Sequence, residues 1–325
     1  MASRHPSEAR GPKLPMKTQP SLFKALAEHD FLLMEAAVTE ALSRRSDFFV
    51  HPELGPAVCV LDQTGRQALR TLYSSFAAVA RSAEVPLIVT APTWRANPER
   101  IQKGCCPVDI NREAVAFMRG LRQELTDGWS VGILAGALLG PKNDAYRPDQ
   151  SLAAHEALEF HTWQANELAE AKADFLMAAT LPALEEAAGM ARAMTRTGLP
   201  AIVSFVIDKT GRLLDGRSLY EAIDRIDGSC TPPPAGYMIN CSYPSFFKPE
   251  TEPPQVLDRL LGYQANASSL AHYELDGSVN IQADDPADWA RRMAVLHRRW
   301  GLKILGGCCG TGEEHLSILV RSIRD

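Results

Sequence analysis

The sequence lacks the features that mark several large functional classes. It has no excess of positive charge: 34 lysines and arginines against 39 acidic residues give a formal net charge of −5. No cationic field is therefore present to draw in nucleic acid or anionic lipid, whose binding rests on neutralising phosphates. It has no apolar run of membrane-spanning length, since the longest, Val131 to Gly140, is about half of the ~20 residues that a helix needs to cross a bilayer. No hydrophobic signal core stands at the N-terminus, so the expectation is a cytoplasmic protein with neither membrane nor nucleic acid among its partners. There is no CxxC pair among the seven cysteines. That odd number argues against a disulfide framework, and the missing CxxC against a structural zinc site. Metal binding of another kind or reactive thiols remain. The glycines between Gly132 and Gly140 form neither GxGxxG nor GxxxxGK[ST], which excludes the usual dinucleotide and P-loop signatures. No internal repeat is present, and oligomeric state has no signature.

What is present is an alternation of short aliphatic runs with amphipathic stretches. Residues 1–20 carry Pro6, Pro12, Pro15 and Pro20 among polar residues with little to bury, and read as a flexible N-terminal tail. From residue 21 to 325, strands are expected at Phe31–Met34, Leu87–Ala91, Trp129–Ala135, Asp174–Ala179, Ala201–Ile207, Tyr237–Cys241, Leu261–Ala265 and Leu302–Leu305. Between them, Gln67–Ala83, Asn111–Glu124, Ser151–Ala171, Leu184–Thr195, Ser218–Arg225, Pro254–Leu260 and Asp288–Trp300 have apolar residues at helical spacing. Eight strands with crossover helices point to an α/β protein, a single-domain (β/α)8 TIM barrel, with an open doubly wound sheet as the alternative. Ser46–Thr64 and Ser229–Pro234 read as surface loops.

The segment Leu302 to Thr311 runs from an apolar strand through Gly306-Gly307-Cys308-Cys309-Gly310, a glycine-rich stretch that suits a tight turn. It places two thiols at a strand's C-terminal end, which in a barrel is the active-site face. Cys241 ends a strand two units earlier, so barrel closure would bring the three sulfurs within reach of one ion. Three thiolates suit Zn2+, which takes four tetrahedral ligands, and they leave one position open for a substrate. The alternative is that adjacent cysteines are merely small buried residues. Cys105-Cys106 illustrates that alternative, because it follows a hydrophilic segment with no strand and reads as a loop feature. His155 and His161 resemble a metalloprotease helix only at a glance, since Glu159 stands where the second histidine would be required, and both read as surface residues. Asp174 and Asp208 flank strands and read as capping or loop residues.

The Gly-Gly-Cys-Cys-Gly string, with Asn240-Cys241-Ser242 upstream, resembles the homocysteine S-methyltransferase family of zinc-dependent (β/α)8 barrels. Further similarity lies in Thr90–Ala96, Ala135–Pro141, Ser204-Phe205, Asp208–Gly216 and Tyr263–Ser269, and covers roughly residues 30 to 324. The resemblance implies that Cys241, Cys308 and Cys309 ligate Zn2+. It also implies that the substrates are a small thiol such as homocysteine and an activated methyl donor, a sulfonium such as S-methylmethionine or a quaternary ammonium compound. A free thiol is mostly protonated at neutral pH, and zinc would present it as the nucleophilic thiolate. Aromatic faces at Trp94, Tyr243, Phe246 or Phe247 could take the cationic donor. Trp94 leads, because the family usually has a tyrosine at that point after the second strand. Asn266 falls in a matching segment and is expected to bind substrate.

The sequence departs from the family at two places. Where members have an Asp-Gly-rich turn after the first strand, this chain reads Glu35-Ala36-Ala37, and where they place Glu before Thr at the end of the fourth strand it has Ala179-Thr180. The missing carboxylate would have held a substrate ammonium, a charge-assisted bond typically worth ~1.5–3 kcal/mol. Glu35 is one methylene longer than the family's aspartate and is expected to substitute. The alternatives are an acceptor without an amino group, and a non-catalytic zinc-binding barrel.

Overall fold

The computed structural model describes residues 21–45, 50–106, 109–275 and 282–325, so the expected tail over residues 1–20 lies outside the described residues. The eight strands are β1 (Leu32–Met34), β2 (Leu87–Ala91), β3 (Ile133–Leu139), β4 (Leu176–Leu181), β5 (Ala201–Phe205), β6 (Gly236–Asn240), β7 (Leu260–Ala265) and β8 (Ile304–Gly307). Each pairs in parallel with its sequence neighbour, and β8 pairs with β1, which closes the barrel in simple order. The open sheet is thereby excluded. Helix α1 (Leu22–Glu28) precedes β1, and the helices that follow are α2 (Thr39–Ser43), α3 (Gln63–Ser82), α4 (Pro98–Lys103), α5 (Ile110–Thr126), α6 (Ala154–Glu170) and α7 (Leu184–Thr195). The ring continues with α8 (Leu219–Asp227), α9 (Pro254–Arg259), α10 (His272–Leu275), α11 (Pro286–Trp300) and α12 (Glu313–Arg324). Among the described residues no helix is long and apolar enough to cross a membrane.

The strands are buried on both faces, as a parallel sheet under helices requires. Leu32, Met34, Ile88, Leu134, Phe175, Met177, Ile202, Met238 and Ile304 fill the barrel, while the alternate residues, such as Leu33, Val89, Ala135 and Val203, pack under the helices. Leu22 and Ala25 of α1 join the inner cluster, and the Lys303 ammonium ties that helix to the start of β8 through the carbonyls of Leu26 (2.7 Å) and His29 (3.2 Å). The helix thus plugs the N-terminal end of the barrel and leaves chemistry to the other end.

Four expectations need correction. The third strand begins at Ile133 rather than Trp129, because Gly132 turns the chain at φ +87° before the ladder starts. Periodicity cannot place the end of an unbroken apolar run. Gly306 and Gly307 are strand residues of β8 rather than the turn itself, which falls at Gly310 with φ +79°. Ser46–Thr64 is not a surface loop over its described part: Leu54, Ala57, Cys59 and Val60 are buried in the outer core beneath α3. His155 is exposed as expected, but His161 is fully buried, its Nε2 3.1 Å from the equally buried Glu186 carboxylate on α7. Asp174 pairs with Arg122 and accepts the Ala135 N–H, and Asp208 closes its loop by accepting the Thr210 N–H.

Phe175 is the bulkiest side chain inside the barrel, and a Cβ on the facing Gly136 would lie only 2.3 Å from its ring. Phe175→Ala is expected to lower unfolding free energy by ~3–5 kcal/mol in urea titrations, through lost burial and the cavity left behind. A loss below about 1 kcal/mol would contradict this packing.

Candidate metal centre

Three sulfurs meet at the C-terminal rim. Cys241, Cys308 and Cys309 each offer an Sγ within 4.8 Å of the others, and no further group of this kind occurs among the described residues. Barrel pairing explains the meeting, since β6 and β8 both flank β7. Asn240 stands in register with Gln264, which in turn stands in register with Gly306. The last strand can come this close only without side chains. A Cβ on Gly306 would sit 2.7 Å from the Met34 Cβ, and one on Gly307 would sit 2.1 Å from the Thr311 hydroxyl. The following turn is pinned by Cys308 N–H to Ala265 O (2.7 Å), Ala267 N–H to Cys309 O (2.9 Å) and Thr311 hydroxyl to Cys308 O (2.6 Å). Glu40 of α2 accepts the Gly310 N–H beside it.

Cys241 occupies left-handed backbone, φ +51°, a conformation that residues with a Cβ rarely adopt without support. The support is local. Its carbonyl accepts from Asn266 Nδ2 at 3.0 Å and His272 Nε2 lies 2.6 Å from the same oxygen, while its N–H donates to Gln264 O at 3.2 Å. The Thr180 hydroxyl lies 3.7 Å from its sulfur and donates to it.

Hydrogen bonds from the Cys308 and Cys309 thiols, aided by Thr180 and Tyr146, hold the Cys241 thiol well below the usual range. The same sharing, together with burial, pushes Cys308 and Cys309 up. The cluster therefore stabilises one negative charge on its own and needs a cation to carry three. This soft, convergent, charge-deficient donor set fits a thiophilic divalent ion such as Zn2+, and it leaves a fourth position for another ligand.

Three residues missed by sequence reading bear on the cluster, two of them directly and one through a neighbouring loop. Tyr146, from the loop after β3, lies beside the cluster, where burial and the nearby thiols push its phenol up. Its ring stacks on His272 with centroids 4.7 Å apart. Glu186 steadies that loop at both feet by accepting from Lys142 N–H (2.8 Å) and Leu152 N–H (3.2 Å). Thr180 is the third. Only the Asn-Cys dipeptide hinted at this surround, since loop residues that converge from different crossovers leave no spacing to read.

The expected substrate residues are distributed around the rim. Trp94 is half-buried against the inner cluster, and its indole N–H donates to Ala179 O at 2.9 Å, so it lies next to the end of β4. Asn266 adjoins Cys241 and keeps a buried Oδ1 without a partner among the described residues. Glu35 is buried, with its carboxyl accepting from both the N–H (2.8 Å) and the hydroxyl of Thr90. Its backbone carbonyl accepts the Gly307 N–H at 3.1 Å, one residue before Cys308. Tyr243, Phe246 and Phe247, by contrast, pack in the outer core, where Tyr243 reaches toward Asp288 and Arg292. They do not line the cluster because the chain leaves β6 for a loop and a short 3-10 turn, Pro244–Phe246, that packs against α11 and the outer core.

Comparison with known proteins agrees with this architecture. The family model for homocysteine S-methyltransferase matches residues 25–323. The chain belongs to the homocysteine S-methyltransferase family. It is accordingly an S-methyltransferase, and the non-catalytic alternative falls away. Crystal structures of the homocysteine methyltransferase MmuM from Escherichia coli share its fold. The metallated form superimposes with a TM-score of 0.68 at 19% identity over 92% of this chain and 98% of that one. The oxidised form gives 0.70 at 20% identity over 93% and 99%. No curated protein sequence matches the chain at a significant level.

Burial lifts the Glu35 carboxyl from about 4.5 to about 8, with the Thr90 hydrogen bonds opposing. The folded protein then keeps a proton that the unfolded chain releases. The stability this contributes is complete below pH 4.5 and is lost as pH rises toward 8. Glu35→Gln preserves an uncharged partner for Thr90 and should flatten the fall in thermal midpoint between about pH 5 and pH 8. Parallel pH profiles for the two proteins would contradict a buried neutral Glu35.

Proposed function

We propose that the protein is a zinc-dependent S-methyltransferase that moves a methyl group from a sulfonium or quaternary ammonium donor to a small thiol, homocysteine, giving methionine. The observation that carries this reading is the cluster of three thiols within 4.8 Å at the active-site end of a family barrel. Cys241, Cys308 and Cys309 would hold Zn2+, which would supply the positive charge that lets a thiol bind as thiolate at neutral pH. In the transfer, the acceptor sulfur's lone pair forms the new S–CH3 bond. The bond from that methyl to S+ or N+ breaks, and its electron pair leaves with a neutral thioether or amine. The acceptor's proton is released on binding.

The chain's own residues then supply alignment. Tyr146 and Trp94 give aromatic surface at the mouth for a cationic donor. Asn266 offers a buried acceptor beside Cys241, and Glu35 offers a buried carboxyl that lacks a cationic neighbour among the described residues. An acceptor's ammonium beside Glu35 would provide that charge and draw the carboxyl back toward ionisation.

Metal analysis of variants tests the ligand set. Cys308→Ala should lose most of its zinc while Cys105→Ala, an exposed thiol outside the cluster, retains it. Equal loss in both, or full occupancy in the first, would contradict the assignment. Acceptor choice is read from kcat/KM for homocysteine and its des-amino analogue. Glu35→Ala should lower the value for homocysteine about 10–100-fold and leave the analogue nearly unchanged. A native preference for the analogue would instead mean that the acceptor carries no ammonium.

A further inference from the structure

We propose that Thr180 is a positioning residue for the metal-ligating thiolate of Cys241, acting as a one-way hydrogen-bond donor whose direction is set by Asn240. The inference rests on the assignment of Cys241 as a zinc ligand and adds a residue outside the ligand set.

The direction follows from counting protons. Asn240 Nδ2 lies 2.7 Å from the Thr180 hydroxyl oxygen. An amide nitrogen only donates, so the hydroxyl accepts there, and its single proton is left for the Cys241 sulfur at 3.7 Å. The amide cannot be reversed. Its Oδ1 accepts the Thr180 N–H at 2.8 Å and the Ser204 hydroxyl at 2.7 Å, and the first of these partners is an obligate donor. All three side chains are buried, so water does not compete for these bonds.

A second observation points the same way. Thr180 is β-branched and yet held at φ +62°, facing Cys241 at φ +51° on the neighbouring rim. β-branched residues avoid this region, and an outlier of this kind persists only where the surroundings over-determine it. Here the Asn240 acceptor on the Thr180 N–H fixes the backbone and aims the hydroxyl. Glycine would relieve the backbone strain but could not donate to sulfur.

A hydrogen bond to a ligand thiolate fixes its orientation and spreads its charge. Presenting three anionic sulfurs to one ion becomes less costly. Groups that orient metal ligands in this way are typically worth about 10–100-fold in metal affinity.

The test is zinc affinity of the full chain by chelator competition, paired with the sulfur-to-metal charge-transfer band of the cobalt-substituted protein. Thr180→Val keeps the shape and removes the donor. It should bind zinc about 10–100-fold more weakly and shift the band to lower energy, as a thiolate without its donor is more electron-rich. Thr180→Ser keeps the hydroxyl and should stay within about threefold of the native affinity with the band unmoved. Thr180→Ala should repeat the loss, should the valine variant not fold. Native affinity and an unshifted band in the non-donor variants would overturn the inference, as would equal weakening in Thr180→Ser, which would trace the effect to packing of the methyl group. Absence of zinc binding by the unmutated protein would overturn both this inference and the ligand assignment, whereas native zinc binding with unaffected variants overturns this inference alone.

Discussion

Three sulfurs held close together cannot all be anions unless a cation joins them, and the upper end of this barrel is arranged around that electrostatic constraint. In the protein alone one thiolate, on Cys241, draws hydrogen bonds from its two neighbours, and their own ionisation is pushed up in return. Barrel closure makes the meeting possible, since β7 spaces β6 from β8 by two ladder steps and the side-chain-free Gly306 and Gly307 let β8 press against β1 and the Thr311 turn. A helix plug at the opposite end and aliphatic layers between make the rim a rigid mount. A soft thiolate-rich centre on such a mount favours sulfur chemistry, which accords with the family.

Around the sulfurs the protein spends strain and burial to fix direction. Cys241 and Thr180 both occupy left-handed backbone, and each is anchored by side chains from other strands or loops: Asn266 and His272 on the Cys241 carbonyl, Asn240 on the Thr180 amide. The loop that carries Tyr146 is tied down at both ends by the buried Glu186, whose other partner is His161. These links connect helix packing on the outside of the barrel to the position of a phenol at its mouth. They show why residues far from the sulfurs bear on the geometry of the site.

The barrel was legible because eight aliphatic runs alternate with amphipathic stretches, and pairing order then follows from crossover geometry. The thiol cluster was legible because Cys241 and Cys308-Cys309 both terminate such runs. Boundaries inside unbroken apolar segments were not, as the shift of β3 to Ile133–Leu139 shows, because a single left-handed glycine decides them. His161 and Glu186 were equally hidden, since two polar residues on separate helices become a buried pair only when α6 and α7 pack. Thr180 and Tyr146 escaped for the related reason that their roles depend on where a hydroxyl proton points, which composition and periodicity do not encode. Tyr243, Phe246 and Phe247 showed the converse: aromatic residues just beyond a ligand strand were packing for the outer core.

The central claim is that the three cysteines hold zinc with one position free for an acceptor thiol. X-ray absorption at the zinc edge, on the zinc-loaded protein before and after addition of homocysteine, addresses it most directly. The account predicts about three sulfur scatterers and one lighter atom before addition, and four sulfurs afterward. A coordination shell with fewer than three sulfurs, or one unchanged by an acceptor that the enzyme is methylating, would contradict it.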